Sequence, residues 1–307
     1  MIILVGAGGF LGYSLSKYFS RRKIKFATVS RSFQWNSMVH EKRCIGSASE
    51  VIDFISTFAG DVQVLYMAGS PNLVLAEQDP SSDLYVHESE LRLFLQIFSN
   101  LKCACKRFVF VSSGGTVYGD SLGVLKMESS DLNPKSAYGK RNVSLEKTVA
   151  AWASSFDIRA SIFRVTNPFG PGQFRFRRRG LVQALIDSAS SGQKISIRGN
   201  GYQKRDYLFS DSLCSMVGLL LELDRLPAII NIASGFSYSA REVVEVLSAN
   251  QIFPVFEYVD SADDFEVKDS LVSASLVRSI LRLDDYSLAP FRPANILDMV
   301  YFHGEDA

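Results

Sequence analysis

A cluster of glycines directly follows the first apolar segment, and it restricts the fold more than any other part of the sequence. Ile2-Ile-Leu-Val5 has the composition of a buried strand, Gly6-Ala-Gly-Gly9-Phe-Leu-Gly12 follows at once, and helical periodicity then begins. In such a unit the glycines permit a tight turn and a close approach of the backbone to a phosphate. The N–H groups and the dipole at the start of the helix favour an anion. We predict that this unit binds the pyrophosphate of a dinucleotide, through Gly6, Gly9, Phe10, Leu11 and Gly12.

Strand-length apolar runs alternate with segments of helical period over about the first 165 residues. The apolar runs lie at 2–5, 26–29, 62–67, 108–111 and 158–163, and the helical segments at 11–22, 83–100 and 138–155. Strands separated by helices are joined by right-handed crossovers, which produce a parallel sheet buried on both faces. We therefore predict an α/β fold with a doubly wound parallel sheet, whose domain spans residues 1–166.

A second, smaller lobe is predicted after this domain. Asn167-Pro-Phe-Gly-Pro-Gly172 is rich in turn-forming residues, and the basic run Arg175-Phe-Arg-Arg-Arg179 precedes a helical stretch at 180–191. A strand at 229–232, a helix at 239–249 and irregular segments follow. We assign 167–307 to a C-terminal substrate-binding lobe, and we expect about 206–232 to rejoin the first domain.

Charge and cysteine spacing exclude several classes of function. The 307 residues include 33 basic and 32 acidic ones, so the net charge does not favour nucleic acid or an anionic membrane as a partner. The first apolar run is too short for a signal peptide, and no later run is long enough for a membrane span. Cys44, Cys103, Cys105 and Cys214 lack the spacing of a metal site. We expect a cytoplasmic protein that binds no metal, no nucleic acid and no membrane.

The end of the second strand bears on the choice of dinucleotide. An NAD-binding unit is expected to carry an acidic residue there for the adenosine ribose, but the sequence reads Val29-Ser30-Arg31-Ser32. Ser30 and Arg31 suit a 2′-phosphate, because a guanidinium pairs with phosphate. This favours NADP over NAD, and the alternative is that Arg31 is a solvated loop residue. Farther on, Val64-Leu-Tyr-Met-Ala-Gly69 predicts a strand and a small-residue loop in which Ala68 lies under the cofactor.

Five further segments occur in a fixed order after the glycine turn. They are Lys106-Arg-Phe-Val-Phe-Val-Ser-Ser-Gly-Gly-Thr-Val-Tyr-Gly119, Ser136-Ala-Tyr-Gly-Lys140, Arg164-Val-Thr-Asn-Pro-Phe-Gly-Pro-Gly-Gln173, Gly199-Asn-Gly-Tyr-Gln-Lys-Arg-Asp-Tyr207 and Asn231-Ile-Ala-Ser-Gly235. With the glycine turn, the sequence resembles the extended short-chain dehydrogenase/reductase family, in its branch of nucleotide-sugar epimerases, dehydratases and reductases. The resemblance implies a Rossmann cofactor lobe, a nucleotide-sugar lobe, and hydride transfer at a sugar carbon between them.

The resemblance assigns the proton-transfer role to Tyr138. In this family a tyrosine hydroxyl exchanges a proton with the sugar hydroxyl and also contacts the cofactor, and a lysine four residues later supplies the charge that favours the phenolate. Here that position is Asn142, which can hydrogen-bond a ribose but carries no charge. Arg141 lies on roughly the same helix face as Tyr138 and is the candidate substitute, whereas Lys140 points away. The alternative is that Arg141 is a solvated helix residue.

A second departure from the family pattern lies at Gly114. Many members carry there the serine or threonine that hydrogen-bonds the reacting oxygen, and Ser113 or Thr116 could serve from an adjacent position. Glu88 and Ser89 stand about where an asparagine is usual. In the second lobe, Asn167 and Arg205 match positions that bind the diphosphate, and Gln203 and Asp206 resemble their supports. No phosphate-binding arginine is evident in Asp264-Phe-Glu-Val-Lys-Asp269.

The resemblance implies an NAD(P)-dependent nucleotide-sugar oxidoreductase, most like a UDP-sugar 4-epimerase. A reductase of 4-keto nucleotide sugars that uses NADPH is the alternative within enzymes. A binding protein that keeps both pockets but has weakened turnover is the alternative outside them. A dehydratase is disfavoured, because 112–116 lacks an Asp-Glu pair. By analogy we expect a homodimer through the helices at 83–100 and 138–155, where Phe94, Ile97, Trp152 and Phe156 could be core or interface.

Overall fold

Twelve strands and twelve α-helices form the described part of the chain. The computed structural model describes residues 1–30, 42–44, 47–58, 60–69, 73–101, 106–176, 180–260 and 265–301. The strands are β1 (Ile2–Val5), β2 (Phe26–Ser30), β3 (Lys42–Cys44), β4 (Val62–Tyr66), β5 (Lys106–Ser113), β6 (Arg159–Val165), β7 (Asn167–Phe169), β8 (Ile195–Arg198), β9 (Lys204–Phe209), β10 (Ile229–Ile232), β11 (Ser237–Ser239) and β12 (Phe256–Val259).

The helices connect these strands and cover the sheets. They are α1 (Phe10–Arg21), α2 (Ala48–Ser56), α3 (Leu73–Gln78), α4 (Pro80–Ser99), α5 (Gly114–Val117), α6 (Ala137–Phe156), α7 (Leu181–Ser191), α8 (Ser210–Glu222), α9 (Ala240–Ala249), α10 (Ser275–Leu281), α11 (Asp285–Leu288) and α12 (Pro293–Tyr301).

Seven parallel strands form the central sheet, in the order β10-β6-β5-β4-β1-β2-β3. The chain moves outward in one direction through β1, β2 and β3, and in the other through β4, β5, β6 and β10. The order therefore reverses between β1 and β4, and a crevice for ligands opens at the carboxyl ends of strands at such a point. The predicted doubly wound parallel sheet is confirmed.

Both faces of the central sheet are covered by helices, and strands β1, β4 and β10 are mostly apolar, as burial on both faces requires. Leu4 packs with Leu15, Phe19 and Val217 of α1 and α8 on one face. Ile3 points the opposite way and packs with Phe94 of α4 and other residues of α2 and α6 on the second face. Successive side chains of a strand alternate between faces. Ile97 packs against the second core and Trp152 lies in it, whereas Phe156 is 53% exposed.

The C-terminal lobe has its own sheets and core. Strands β11, β9 and β7 form one small sheet, and β12 pairs with β8 in another. Helices α7, α9 and α12 cover them, and the core includes Phe169, Leu185, Tyr207, Val243 and Met299. The sequence predicted irregular structure after the helix at 239–249, but β12, α10, α11 and α12 lie there. These elements are at most nine residues long, which leaves little periodicity to recognise.

Three negative findings apply to the residues that the structure describes. None of their helices combines the length and the hydropathy that a membrane span requires. No three metal-ligating side chains come together among them. Cys214 is buried and forms no disulfide, and burial raises the pKa of its thiol well above the usual value.

Candidate active site

The glycine turn has the geometry that close contact with a ligand requires. Gly6 has φ +80°, and a Cβ atom there would lie 2.4 Å from the backbone nitrogen of Ala68. At Gly12 an added Cβ would lie 2.2 Å from the carbonyl oxygen of Ala7, so this glycine lets α1 pack against the turn. Within the described structure, no atom lies within 4 Å of the Cβ position at Gly9, the residue before Phe10 and Leu11 in the first turn of α1. This open space over the helix start fits a pyrophosphate.

Two loops flank the glycine turn at the carboxyl edge of the sheet. Ser30 ends β2 and is half-buried, and Val29 accepts hydrogen bonds from the N–H groups of Gly6 and Ala7. Arg31, the residue on which the NADP prediction depends, lies outside the described residues. After β4, the backbone of Ala68 packs against Gly6, and its place under a cofactor stays a prediction.

Tyr138 lies in the first turn of α6. The Ser136 hydroxyl caps this helix by accepting a hydrogen bond from the N–H of Gly139 at 3.0 Å. The carboxylate of Glu77, on α3, accepts a second one from the N–H of Ala137 at 2.5 Å. Caps at two N–H groups fix the start of the helix. Tyr138 is half-buried, so its ring is held from one side and reachable from the other.

Asn142 occupies the position of the expected lysine but is turned toward its own helix. Its side-chain amide donates to the carbonyl oxygen of Tyr138 at 2.9 Å, and the residue is 6% exposed. Arg141 is buried too, which excludes a solvated side chain for this residue. Its guanidinium carbon lies 4.8 Å from the centroid of the Tyr138 ring, and it forms an ion pair with Asp83. The cation nearest this tyrosine ring among the described residues therefore comes from position 141.

Gly114 is required by the packing of α5. An added Cβ there would lie 2.8 Å from the backbone oxygen of Arg164, so a serine or threonine would need the backbone to shift. Ser113 is the half-buried residue immediately before α5, and in the described part of the chain its hydroxyl makes no hydrogen bond. Thr116 donates to the carbonyl oxygen of Ser113 at 3.3 Å. Of the two predicted substitutes, Ser113 has the hydroxyl that is available to a ligand.

A buried polar network lies beneath this segment. The guanidinium of Arg164 donates to both oxygens of Glu146, to the hydroxyl of Tyr118 and to the carbonyl oxygen of Glu128. Tyr118 in turn donates to Asn231 at 2.7 Å. Burial raises the pKa of Tyr118. Burial alone would lower the pKa of the Arg164 guanidinium, but the carboxylate of Glu146 outweighs this effect, and the pKa is raised. The network joins α6, β6 and β10 under the site.

A pocket of about 260 Å³ opens in the C-terminal lobe, and it contains all three predicted substrate-binding residues. Asn167 and Arg205 line it, and Gln203 also donates to the backbone oxygen of Arg198. The Glu266 carboxylate lies 3.8 Å from the Arg205 guanidinium. The remaining lining residues are mostly apolar: Pro168, Phe169, Gly180, Leu181, Val182, Ile197, Tyr207 and Ala240.

Asp206 supports the pocket from behind rather than lining it. Its carboxylate accepts hydrogen bonds from Thr166, from the backbone and hydroxyl of Ser234, and from the N–H of Gly235. Complete burial raises the pKa of Asp206 to about 7, against the lowering effect of these hydrogen bonds. Its backbone oxygen accepts from Asn167 at 2.9 Å. Asp206 thus fastens β9 to the ends of β6 and β10.

Several side chains of the site were missed from the sequence. Arg198 and Glu266 line the pocket, and Asp83 and His87 lie against Arg141. Arg198 directly precedes the recognised segment that begins at Gly199, so its position was a usable signal. Asp83 and His87 reach the site only through the packing of α4 on α6, which are far apart in the sequence.

Comparisons with known proteins identify the family of this chain. The family model described as "NAD dependent epimerase/dehydratase family" matches residues 2–233. The dTDP-4-dehydro-6-deoxyglucose reductase of Escherichia coli is 24% identical over 262 residues, which cover 80% of each chain. The UDP-glucose 4-epimerase of Mycolicibacterium smegmatis is 30% identical over 108 residues, 35% of this chain and 34% of that protein.

Similarity to solved structures extends over the whole chain. The UDP-glucose 4-epimerase of Thermus thermophilus, crystallised in complex with NAD, superposes with a TM-score of 0.83 at 19% identity and covers 99% of both chains. At this level of identity the likeness concerns the fold. The family model, by contrast, covers most of the sequence, and the predicted family resemblance is confirmed. The chain belongs to the NAD-dependent epimerase/dehydratase family.

Proposed function

We propose that this protein is an NAD(P)-dependent nucleotide-sugar oxidoreductase that interconverts UDP-sugars epimeric at C4. One observation carries the proposal: the pocket of the C-terminal lobe adjoins the segment that contains Ser113 and Thr116, and this segment lies next to Tyr138. Asn167 lines the pocket, and its side-chain nitrogen lies 3.1 Å from the Cβ position of Gly115, between Ser113 and Thr116. A ligand that binds both Arg205 and Asn167 would therefore lie near the hydroxyl groups proposed to act on a sugar.

The protein's own residues would bind and deprotonate the sugar. Tyr138 takes the proton from the C4 hydroxyl, and Ser113 donates a hydrogen bond to the same oxygen, with Thr116 beside it. A nicotinamide bound there would accept the hydride from C4 and return it to the opposite face of the sugar, which would make the reaction an epimerisation. The space over Gly9 and the close contact of Gly6 with Ala68 support binding of this cofactor.

The pocket suits a nucleoside diphosphate. Arg198 and Arg205 provide guanidinium groups for adjacent phosphates, and guanidinium groups bind phosphate oxygens in a bidentate manner. Glu266 can accept hydrogen bonds from ribose hydroxyls. The apolar lining provides a surface for the base.

Arg205→Gln is expected to weaken binding of UDP-glucose about 10- to 100-fold, because a charge-assisted hydrogen bond contributes about 1.5–3 kcal/mol. Isothermal titration calorimetry measures the change. Lys204→Gln, at the exposed neighbouring position of β9, removes the same charge outside the pocket and serves as the matched control. Equal affinities of the two variants would contradict the assignment of the pocket.

The reductase alternative is supported by the similarity to the reductase of Escherichia coli. The two activities differ in net redox chemistry. An epimerase interconverts UDP-glucose and UDP-galactose without consuming cofactor, whereas a reductase oxidises one NADPH for each 4-keto sugar. Stoichiometric loss of NADPH absorbance with a dTDP-4-keto-6-deoxy sugar, and no interconversion of UDP-sugars, would favour the reductase. The third alternative, a binding protein with weakened turnover, rests on Asn142 and Gly114.

The preference for NADP over NAD is proposed from Ser30 and Arg31. The family model is described as NAD-dependent, so a preference for NADP would distinguish this chain from that description. Arg31→Ala is expected to weaken NADP binding about tenfold and to leave NAD binding unchanged, because only NADP carries the 2′-phosphate. Fluorescence titration of both dinucleotides tests this. Equal NADP affinity in the wild type and the variant would remove Arg31 from the cofactor site.

We also propose that the protein is a cytoplasmic homodimer. Tyr85, Val86 and Leu93 of α4 and Phe156 at the end of α6 are exposed apolar side chains on the two helices expected to pair. Burial of such side chains between two copies would be favourable. Sedimentation equilibrium should then give twice the 34.1 kDa mass of the chain, and a monomer at micromolar concentration would refute the dimer.

A further inference from the structure

A buried cluster of polar side chains lies behind Tyr138, where α4 packs against α6. Its members are Asp83 and His87 of α4 and Arg141 of α6. The side chains of Arg141 and Asp83 are 3% and 14% exposed, and Nη1 of the arginine donates to both carboxylate oxygens at 2.8 Å. A buried guanidinium needs a partner to compensate for its lost hydration. Asp83 therefore fixes the place of this cation.

The ring of His87 lies against the same guanidinium. Its Nδ1 lies 2.7 Å from the carbonyl oxygen of Asp83, and because a carbonyl only accepts, Nδ1 carries a proton. Nη1 of Arg141 lies 3.4 and 3.5 Å from the two ring nitrogens. On the opposite side, Cδ2 of the ring lies 3.5 Å from the Cβ position of Gly69. The ring thus fills the space between Arg141 and the loop that follows β4.

Held in this way, Arg141 faces Tyr138. Its guanidinium carbon is 4.8 Å from the centroid of the tyrosine ring, whereas Asn142 gives its amide to the backbone. We propose that Asp83 and His87 are positioning residues that hold Arg141 against Tyr138, so that the guanidinium supplies the positive charge that Asn142 lacks. This inference rests on the proposed role of Tyr138 as the acid/base. It adds a positive charge on α6 that side chains of α4 hold in place.

Two carboxylates reduce the positive charge that the cluster presents to Tyr138. Asp83 offsets part of the charge of Arg141, and Glu77 lies at the start of α6 on Ala137. The positive charge that reaches Tyr138 is therefore smaller than that of an unopposed guanidinium at this distance.

The test is a pH titration of tyrosinate absorbance on the full-length, ligand-free protein. The signal of Tyr138 is the difference between each protein and the same protein carrying Tyr138→Phe. In Arg141→Gln the midpoint pH of this difference signal should rise by about one unit. In Lys140→Gln the midpoint should not move, because Lys140 is exposed on the same helix turn. Equal midpoints in these two variants would overturn the proposal.

Asp83→Asn separates positioning from simple charge compensation. If Asp83 positions Arg141, the midpoint rises, because the guanidinium is released from the ring. If Asp83 only offsets charge, the midpoint falls, and the proposal is wrong. His87→Gln should raise the midpoint by a smaller amount, and no change there would remove His87 from the cluster.

Two further variants keep the test valid if Arg141→Gln does not fold. Arg141→Lys keeps the charge and should keep the midpoint near that of the wild type. Arg141→Gln combined with Asp83→Asn leaves no unpaired buried carboxylate and should still raise the midpoint, so an unchanged midpoint would also refute the proposal. Because the titration uses no substrate, absence of UDP-sugar turnover would contradict the proposed function but not this inference.

Discussion

Tyr138→Phe should lower kcat for UDP-glucose and UDP-galactose interconversion about 10²- to 10⁴-fold, the usual contribution of a positioned acid/base. The phenylalanine ring keeps the contact with Arg141 and the packing at the start of α6, so the fold and the KM should change little. Only the hydroxyl that exchanges the proton is lost. Steady-state assays with coupled detection of each product measure the change.

The controls for this prediction use neighbouring positions. Tyr85→Phe removes a hydroxyl from a 73% exposed side chain of α4 and should leave kcat unchanged. Asn142→Lys restores the positive charge expected in the family. An increase of kcat in this variant would show that the site is intact but lacks that charge. Wild-type rates equal to those of Tyr138→Phe on every UDP- and dTDP-sugar, with ligands still raising the melting temperature, would exclude the catalytic proposal in favour of the binding protein.

Arg164→Met should lower the free energy of unfolding by about 3–5 kcal/mol. Methionine fills a similar volume, but the carboxylate of Glu146, which is 3% exposed, would lose its ion pair, and the hydroxyl of Tyr118 would lose a donor. A buried charge without a partner has a much larger cost than the net gain from the pair. Urea denaturation followed by circular dichroism gives the free energy.

Two comparisons make this result specific. Arg159→Met, at the exposed start of the same strand, should change the free energy of unfolding by less than about 0.5 kcal/mol. The double variant Arg164→Met with Glu146→Gln should be more stable than Arg164→Met alone, because no charge is then stranded. A single variant as stable as Arg159→Met would show that the network does not support the fold.

The first domain could be predicted from the sequence because each signal is local. The glycine turn lies within seven residues, and the apolar strands carry their own composition. The short elements after residue 249 show no comparable hydrophobic periodicity in the sequence. Their order depends on contacts such as Met299 with the core of the lobe, which the sequence does not display.

The site was predictable only in part, for a similar reason. Tyr138, Asn167, Gln203 and Arg205 lie in recognisable segments, and the structure places the last three around one pocket. The partners of Arg141 were not predictable, because Asp83 and His87 precede it by more than fifty residues and meet it only through the packing of α4 on α6. Arg31 stays a sequence-based prediction.

The contact at Gly114 has a consequence for how this site could change over evolutionary time. Because the backbone of β6 occupies the space that a side chain would need there, a single substitution cannot install the family's serine or threonine without displacing the strand that carries Arg164. Such a substitution would also need a shift of the β6 backbone at Arg164. The glycine thus restricts the hydroxyl groups proposed for ligand binding to the flanking positions Ser113 and Thr116.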